Sequence, residues 1–130
     1  MSEESYPTAL IVDDYSDSRM ILRRVLEMRH YRVIEASDGE EAVEAARREC
    51  PNLIIMDLNM PQMNGLEAVR KIRGLKGKCE DVVMIAITAF DTSGMREAAI
   101  EAGFDECLIK PFGFDDIDRI LHNFFPEPRS

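Results

Sequence analysis

The stretch Leu53-Ile54-Ile55-Met56-Asp57, near the middle of the chain, places four consecutive apolar side chains directly before a carboxylate. A strand that is apolar at every position is buried on both faces, as happens when helices cover both sides of a parallel sheet. Residues 9–12 and 82–87 have the same continuously apolar character. These three segments therefore predict the central strands of an α/β fold.

The neighbouring segments complete an alternation of strands and helices. Residues 32–36 mix apolar and polar side chains and residues 107–109 are flanked by charge, so both segments predict edge strands. Apolar residues recur at helical spacing within residues 16–30, 38–50, 66–72, 92–102 and 114–124. Five strand–helix units in 130 residues, or 130/5 = 26 residues per unit, predict a doubly wound parallel sheet of five strands with five helices.

Length and charge set the broad class of the protein. A chain of 130 residues has the size of one domain, which we expect to span residues 7–125, with short flexible tails at residues 1–6 and 126–130. There are 16 Lys and Arg residues against 25 Asp and Glu residues, and the net charge of −9 argues against direct binding to nucleic acid. No apolar stretch approaches the roughly 18–20 residues of a membrane span, so membrane insertion is not expected.

The N-terminus and the cysteines favour a cytoplasmic location. The first residues are acidic and lack the apolar segment of a signal peptide. Cys50, Cys79 and Cys107 are odd in number, widely separated and without a Cys-x-x-Cys pair. This pattern fits reduced thiols in the cytosol better than a disulfide framework or a zinc site.

Polar side chains follow the carboxyl ends of the predicted strands. The first strand is followed by Asp13 and Asp14, and the third, fourth and fifth strands are followed by Asp57, Thr88 and Lys110. The ligand crevice of a doubly wound sheet lies beyond these ends, so three carboxylates, a hydroxyl and an ammonium group should converge there. Carboxylates about 4 Å apart repel by roughly 4 kcal/mol at an effective dielectric constant of 20, so either a carboxyl pKa rises or a cation binds. An oxygen-only site of this kind suits Mg²⁺.

Five motifs in this order resemble the receiver domain of two-component response regulators, over roughly residues 7–125. The matching stretches are Leu10-Ile11-Val12-Asp13-Asp14, Ala36-Ser37-Asp38-Gly39-Glu40-Glu41-Ala42, residues 56–65, Ile87-Thr88-Ala89 and Lys110-Pro111-Phe112. The resemblance implies a flavodoxin-like sheet with the strand order 2-1-3-4-5. It also implies a signalling domain that catalyses only its own phosphorylation and a slow autodephosphorylation, so we do not expect a conventional enzyme.

The resemblance assigns the acidic residues to phosphoryl transfer. Asp57 is implied to be the phosphoacceptor, which attacks a phosphohistidine of a sensor histidine kinase or a phosphotransfer protein. Asp14 and Asp57 are implied to ligate Mg²⁺ together with the backbone carbonyl of Asn59. Asp13 is implied to reach the metal mainly through a bound water.

The remaining site residues are implied to act on the phosphoryl group itself. Thr88 is expected to hydrogen-bond one phosphoryl oxygen and Lys110 to pair with another, and the Lys110–Pro111 peptide bond is expected to be cis. Asn59 and Phe90 follow the acceptor and the threonine by two residues, and the resemblance implies that they set the lifetime of the phosphoryl group. A Phe90 ring that screens water would slow its hydrolysis.

One position departs from the family pattern. Most family members carry an aromatic residue three positions before the lysine, and its ring swings inward when the threonine moves. Here that position is Cys107, which has no ring. We therefore expect residues 88–90 themselves to change the surface around the fourth helix, fifth strand and fifth helix. This change is expected to control a downstream protein that the sequence does not identify.

The first predicted helix is rich in arginine, at positions 19, 23, 24 and 29. Arginines on one helix are usually a solvated basic face, and we interpret these four in that way. Docking of the kinase's helical domain, which the resemblance suggests for this helix, is the alternative.

Three other functions were weighed on the same topology. An Mg²⁺-dependent aspartyl-phosphate phosphatase or phosphotransferase would need a second carboxylate two residues after Asp57, where Asn59 stands. A flavin-binding module would need a phosphate-binding loop after the first strand, where Asp13 and Asp14 would repel a phosphate. An unphosphorylated pseudo-receiver that acts by binding alone remains open, as does the choice between a stand-alone regulator, a phosphorelay shuttle and an excised domain.

Overall fold

The computed structural model describes residues 6–13, 16–58, 65–75, 81–89 and 94–125, which form five strands and five helices. The strands are β1 (Thr8–Val12), β2 (Arg32–Ala36), β3 (Leu53–Asp57), β4 (Val83–Thr88) and β5 (Glu106–Ile109). The helices are α1 (Ser16–Met28), α2 (Gly39–Glu49), α3 (Gly65–Arg73), α4 (Met95–Ala102) and α5 (Phe114–Phe124). None of the described helices has the length and apolar character that crossing a membrane requires.

The strands form one sheet in the order β2-β1-β3-β4-β5, with every neighbouring pair parallel. This arrangement confirms the predicted doubly wound, flavodoxin-like fold. Three of the candidate site residues, Asp14, Asn59 and Phe90, lie outside the described residues.

Both faces of the sheet are buried, because successive residues of a strand point to opposite sides. Leu10 and Ile54 belong to a core cluster shared with α2, α3 and α4. Their chain neighbours Ile11 and Ile55 belong to a second cluster shared with α1 and α5. All four side chains are at most 2% exposed, and burying one such side chain stabilises the fold by about 1.5–3 kcal/mol. The continuously apolar strands are therefore the consequence of helices on both faces.

The pairing register brings the carboxyl ends of the central strands to one level. Val12 of β1 pairs with Met56 of β3. The residues that follow them, Asp13 and Asp57, therefore lie beside each other. On the other side of β3, Asp57 pairs with Ile87 of β4. The register thus fixes which polar residues are neighbours at this edge before any side-chain interaction is considered.

The cysteines differ in part from the expectation. Cys107 is a buried thiol, whereas Cys50 is disulfide-bonded, so the prediction of reduced cysteines is wrong for Cys50. Cys50 follows α2 in a left-handed conformation with φ of 47°, and its N–H donates to the carbonyl of Ala46 at the end of the helix. The chain therefore turns sharply at Cys50 on its way into β3.

Candidate functional site

Two buried carboxylates lie at the centre of the carboxyl edge of the sheet. Asp57 is the last residue of β3 and is 2% exposed, and Asp13 follows β1 directly and is fully buried. The Asp13 N–H donates to the carbonyl of Ala36 at 3.2 Å, which extends the β1–β2 ladder by one bond. Four apolar residues anchor Asp57 in the core from the other direction. Neither carboxylate can move far without disturbing the sheet.

Lys110 brings a positive charge to this pair from the edge strand. Its Nζ donates to Oδ2 of Asp57 at 2.8 Å, and the two side chains are 26% and 3% exposed. The Lys110 N–H donates to the carbonyl of Thr88 at 2.8 Å, so the end of β5 is fixed to the end of β4. The Lys110–Pro111 peptide bond, expected to be cis, is cis. The ion pair spans 53 residues of sequence and joins the centre of the sheet to its edge.

Thr88 completes the described part of the site. It is the last residue of β4 and is fully buried. The turn that follows Asp57 is tied to the same strand, because the N–H of Leu58 donates to the carbonyl of Ile87 at 2.7 Å. Asp57 therefore has Asp13 on one side, from β1, and the end of β4 with Thr88 on the other.

The donor chemistry of this edge fits a magnesium ion. Mg²⁺ takes oxygen ligands, is commonly held by one or two carboxylates and keeps several waters. Asp13 and Asp57 supply two buried carboxylates, while Lys110 supplies a single positive charge against them. The described residues contain no group of three or more His, Cys, Asp or Glu suited to a metal ion, and Asp14 and Asn59 fall outside them.

One contact of the site was missed by sequence reasoning. Arg19 of α1 donates from Nη1 to the backbone carbonyl of Asp13 at 2.7 Å. The basic residues of α1 were interpreted as a solvated face, and Arg19 instead has a side chain that is only 25% exposed. The sequence signal that could have identified it is its position, one turn into the helix that follows Asp13.

Cys107 is packed into the core beside α4. It pairs with Ala86 of β4 in the sheet register and is 8% exposed. Its core cluster also contains Ala99 and Ala102 of α4. Small side chains thus occupy both β4 and α4 around the position where the family pattern has an aromatic ring.

The sequence of the chain matches a known protein family and individual members of it. The sequence profile described as "Response regulator receiver domain" matches residues 9–122. The chain is 37% identical over 108 residues to the response regulator MprA of Mycobacterium leprae (strain TN), which covers 83% of this chain and 46% of MprA. The chain spans less than half the length of this relative and of two probable transcriptional regulators that it also matches.

Solved structures with the same fold include receiver domains bound to a metal or to a partner. The receiver domain of the sensor histidine kinase PA1611 from Pseudomonas aeruginosa PAO1, with a magnesium ion coordinated in its active-site cleft, is similar with a TM-score of 0.81 and 33% identity, covering 92% of this chain and 97% of that one. The receiver domain of Saccharomyces cerevisiae Ssk1, in complex with the histidine phosphotransfer protein Ypd1, is similar with a TM-score of 0.81 and 25% identity, covering 90% of this chain and 87% of that one.

Proposed function

The chain belongs to the response regulator receiver domain family, and from this premise we propose that it accepts a phosphoryl group on Asp57 from the phosphohistidine of a sensor histidine kinase or a phosphotransfer protein. Receiver domains are signalling domains of two-component systems rather than conventional enzymes. The observation that carries the proposal is the ion pair between Lys110 Nζ and Asp57 Oδ2, at 2.8 Å and beside the buried Asp13.

The proposed reaction is a phosphoryl transfer between two side chains. A carboxylate oxygen of Asp57 attacks phosphorus, the P–N bond to the donor imidazole breaks, and the imidazole leaves with the bonding electrons. Catalysis of such a transfer rests on positioning and on neutralising the charge of the phosphoryl oxygens. A bound Mg²⁺ would supply part of that positive charge, and the groups that would hold it are Asp13, Asp14, Asp57 and the carbonyl of Asn59.

Lys110 and Thr88 are proposed to hold the phosphoryl group once it has transferred. In the unphosphorylated protein the Lys110 ammonium pairs with Asp57 itself, which keeps its charge within reach of a group bonded to that carboxylate. Formation of the acyl phosphate on Asp57 removes the carboxylate's charge and supplies phosphoryl oxygens that carry more charge, so the ammonium should shift to one of them. Thr88, at the end of the neighbouring strand, is proposed to donate its hydroxyl to another.

The output of the reaction is proposed to be a change in the surface formed by α4, β5 and α5. Movement of Thr88 would pull the chain that follows it, which connects β4 to α4. Because Cys107 has no ring to report that movement, the loop itself is proposed to act on a downstream protein. Asn59 and Phe90 are proposed to set the lifetime of the phosphoryl group, and hydrolysis by the domain is proposed to be slow. We also propose a cytoplasmic location, in keeping with membership of the receiver domain family.

Intact-mass measurement tests the proposal directly. The protein is incubated with Mg²⁺ and acetyl phosphate, and we expect a mass increase of one phosphoryl group. The increase should be absent in Asp57→Ala and without Mg²⁺, and it should persist in Asp81→Ala, which removes an exposed aspartate near the start of β4, at the opposite end of the sheet. An adduct on Asp57→Ala would contradict the assignment of the acceptor.

A second measurement covers the case in which no adduct accumulates. Beryllofluoride mimics a phosphoryl group on a carboxylate and does not hydrolyse. A beryllofluoride complex that depends on Asp57 would show that the acceptor works and that its phosphoryl group is lost quickly. Failure to form either adduct would contradict phosphoacceptor function and favour a domain that acts by binding alone.

A further inference from the structure

The backbone of Asp13 is held from two sides. Its N–H donates to the carbonyl of Ala36 at 3.2 Å, as part of the ladder with β2. Its carbonyl accepts a hydrogen bond from Nη1 of Arg19 at 2.7 Å. This carbonyl belongs to the peptide group that joins Asp13 to Asp14, so Arg19 contacts the one planar unit that connects the two acidic residues.

A carboxylate on β2 lies beside the guanidinium of Arg19. Arg19 Nε lies 3.2 Å from Oε1 of Glu35, an ion pair between side chains that are 25% and 32% exposed. The other oxygen of Glu35 accepts a 2.7 Å hydrogen bond from Nε of Arg23, one turn further along α1. This hydrogen bond raises the pKa of Arg23 above its ordinary value, as expected for a guanidinium held by a carboxylate. Glu35 thus binds two arginines, and Arg19 is the one that reaches the site.

We propose that Arg19 is a positioning residue for Asp13 at the carboxyl end of β1. By holding the carbonyl of Asp13, it limits rotation of the backbone that presents the Asp13 carboxylate to a cation. Mg²⁺ demands near-ideal octahedral geometry at about 2.0–2.1 Å, so a small rotation of this peptide group is enough to weaken binding. The inference rests on the proposed function in one respect, namely that Asp13 helps to hold Mg²⁺.

Arg23 provides a matched control for the proposal. Arg19 and Arg23 lie on the same helix, have the same charge and bind the same glutamate. Arg23 makes the shorter contact with Glu35, and its other described ion pair is with Glu27 on the solvent side of α1, away from Asp13. Loss of charge and loss of the Glu35 interaction are therefore common to Arg23→Ala and Arg19→Ala, whereas the contact with the Asp13 carbonyl is lost only in Arg19→Ala.

The first test is the affinity for Mg²⁺ alone, measured by calorimetric titration of the unphosphorylated protein. We expect Arg19→Ala to weaken binding roughly tenfold, at the lower end of the effect of hydrogen bonds that orient metal ligands. Arg23→Ala should bind Mg²⁺ as the wild type does, and Arg19→Lys, which can still donate to the carbonyl, should recover part of the loss. In acetyl phosphate reactions, Arg19→Ala should need more Mg²⁺ for half-maximal rate and should approach the wild-type rate at saturation.

The second test needs no metal. Backbone amide hydrogen exchange of the metal-free protein reports how firmly the end of β1 is held, and the peptide segment that contains Asp13 should exchange faster in Arg19→Ala than in the wild type or Arg23→Ala. Equal exchange in the two alanine variants, or equal Mg²⁺ affinity, would overturn the positioning role. If the wild type binds no Mg²⁺, the proposed function fails, and faster exchange in Arg19→Ala alone would still support Arg19 as the residue that holds the end of β1.

Discussion

Replacing Arg73 with alanine should destabilise the fold by about 3 kcal/mol. Arg73 ends α3, and its guanidinium donates to the carbonyls of Gly103 at 2.9 Å and Val82 at 2.5 Å and to Asp105 at 2.8 Å. Oδ2 of Asp105 also accepts from the N–H of Met84 at 2.9 Å. One side chain therefore joins α3 to the start of β4 and to the segment between α4 and β5.

The magnitude follows from these three bonds. Hydrogen bonds to charged groups contribute about 1.5–3 kcal/mol each, and the summed value has to be reduced because the bonds share one side chain and water can reach part of it. Arg73 is 24% exposed, so a total of about 3 kcal/mol is the expected loss. Most of that loss comes from carbonyl groups left without a donor in a partly buried place.

Urea unfolding followed by far-ultraviolet circular dichroism measures this change, since the chain has no tryptophan for fluorescence. The control is Arg70→Ala, an exposed arginine one turn earlier on α3, which should change the free energy of unfolding by less than about 0.5 kcal/mol. A loss below about 1 kcal/mol for Arg73→Ala would refute the reasoning, because one unpaired buried carbonyl alone costs about that much.

Three further predictions concern the site, its pH dependence and the phosphoryl lifetime. Lys110→Met should slow phosphorylation by acetyl phosphate about a hundredfold, the loss typical of removing one preorganised charge-stabilising group; Lys71→Met, an exposed lysine on α3, should leave the rate measured by intact mass unchanged. The N–H of Gly113 donates to the Asp116 carboxylate at the start of α5 and holds the pKa of Asp116 below its ordinary value of 3.8. The charged carboxylate therefore stabilises the fold at neutral pH, and this contribution is lost as the pH falls through the lowered pKa. Asp116→Asn should therefore lower the urea midpoint at pH 7, and the difference from the wild type should shrink in titrations carried below pH 3.8; an equal difference at all pH values would contradict this. Phe90→Glu should shorten the phosphoryl lifetime, measured by intact mass as the adduct decays. An unchanged decay rate would contradict a role for Phe90 in limiting hydrolysis.

The fold and the grouping of site residues could be predicted because both depend on simple periodic rules. A run such as residues 53–57 is compatible with few environments, and its burial on both faces implies helices on both faces. Parallel strands all end at the same edge, so Asp57, Thr88 and Lys110 had to be near each other once the strands were identified. The 2.8 Å contact between Lys110 and Asp57 shows this proximity directly.

Other features could not be predicted because they depend on side-chain direction and on contacts far apart in sequence. The four arginines of the first predicted helix look alike in the sequence. Arg19 and Arg23 both pair with Glu35, and only the fold shows that Arg19 also contacts the carbonyl of Asp13 whereas Arg23 pairs with Glu27. The bonded state of Cys50 is a similar case, since widely separated cysteines give no spacing signal and the prediction of reduced thiols failed there. Asp14, Asn59 and Phe90 lie outside the described residues, and their roles stay predictions.

The single backbone bond between Lys110 and Thr88 has a mechanical consequence. The N–H of Lys110 donates to the carbonyl of Thr88, so this bond joins the two chain positions that carry the ammonium and the hydroxyl, at the end of the β4–β5 ladder. A displacement of either strand end is transmitted to the other through that hydrogen bond, so the two side chains should move together. The proposed phosphoryl group on Asp57 should therefore act on Thr88 and Lys110 together. Substitutions that weaken this hydrogen bond should therefore change both the rate of phosphorylation and the rate of phosphoryl loss.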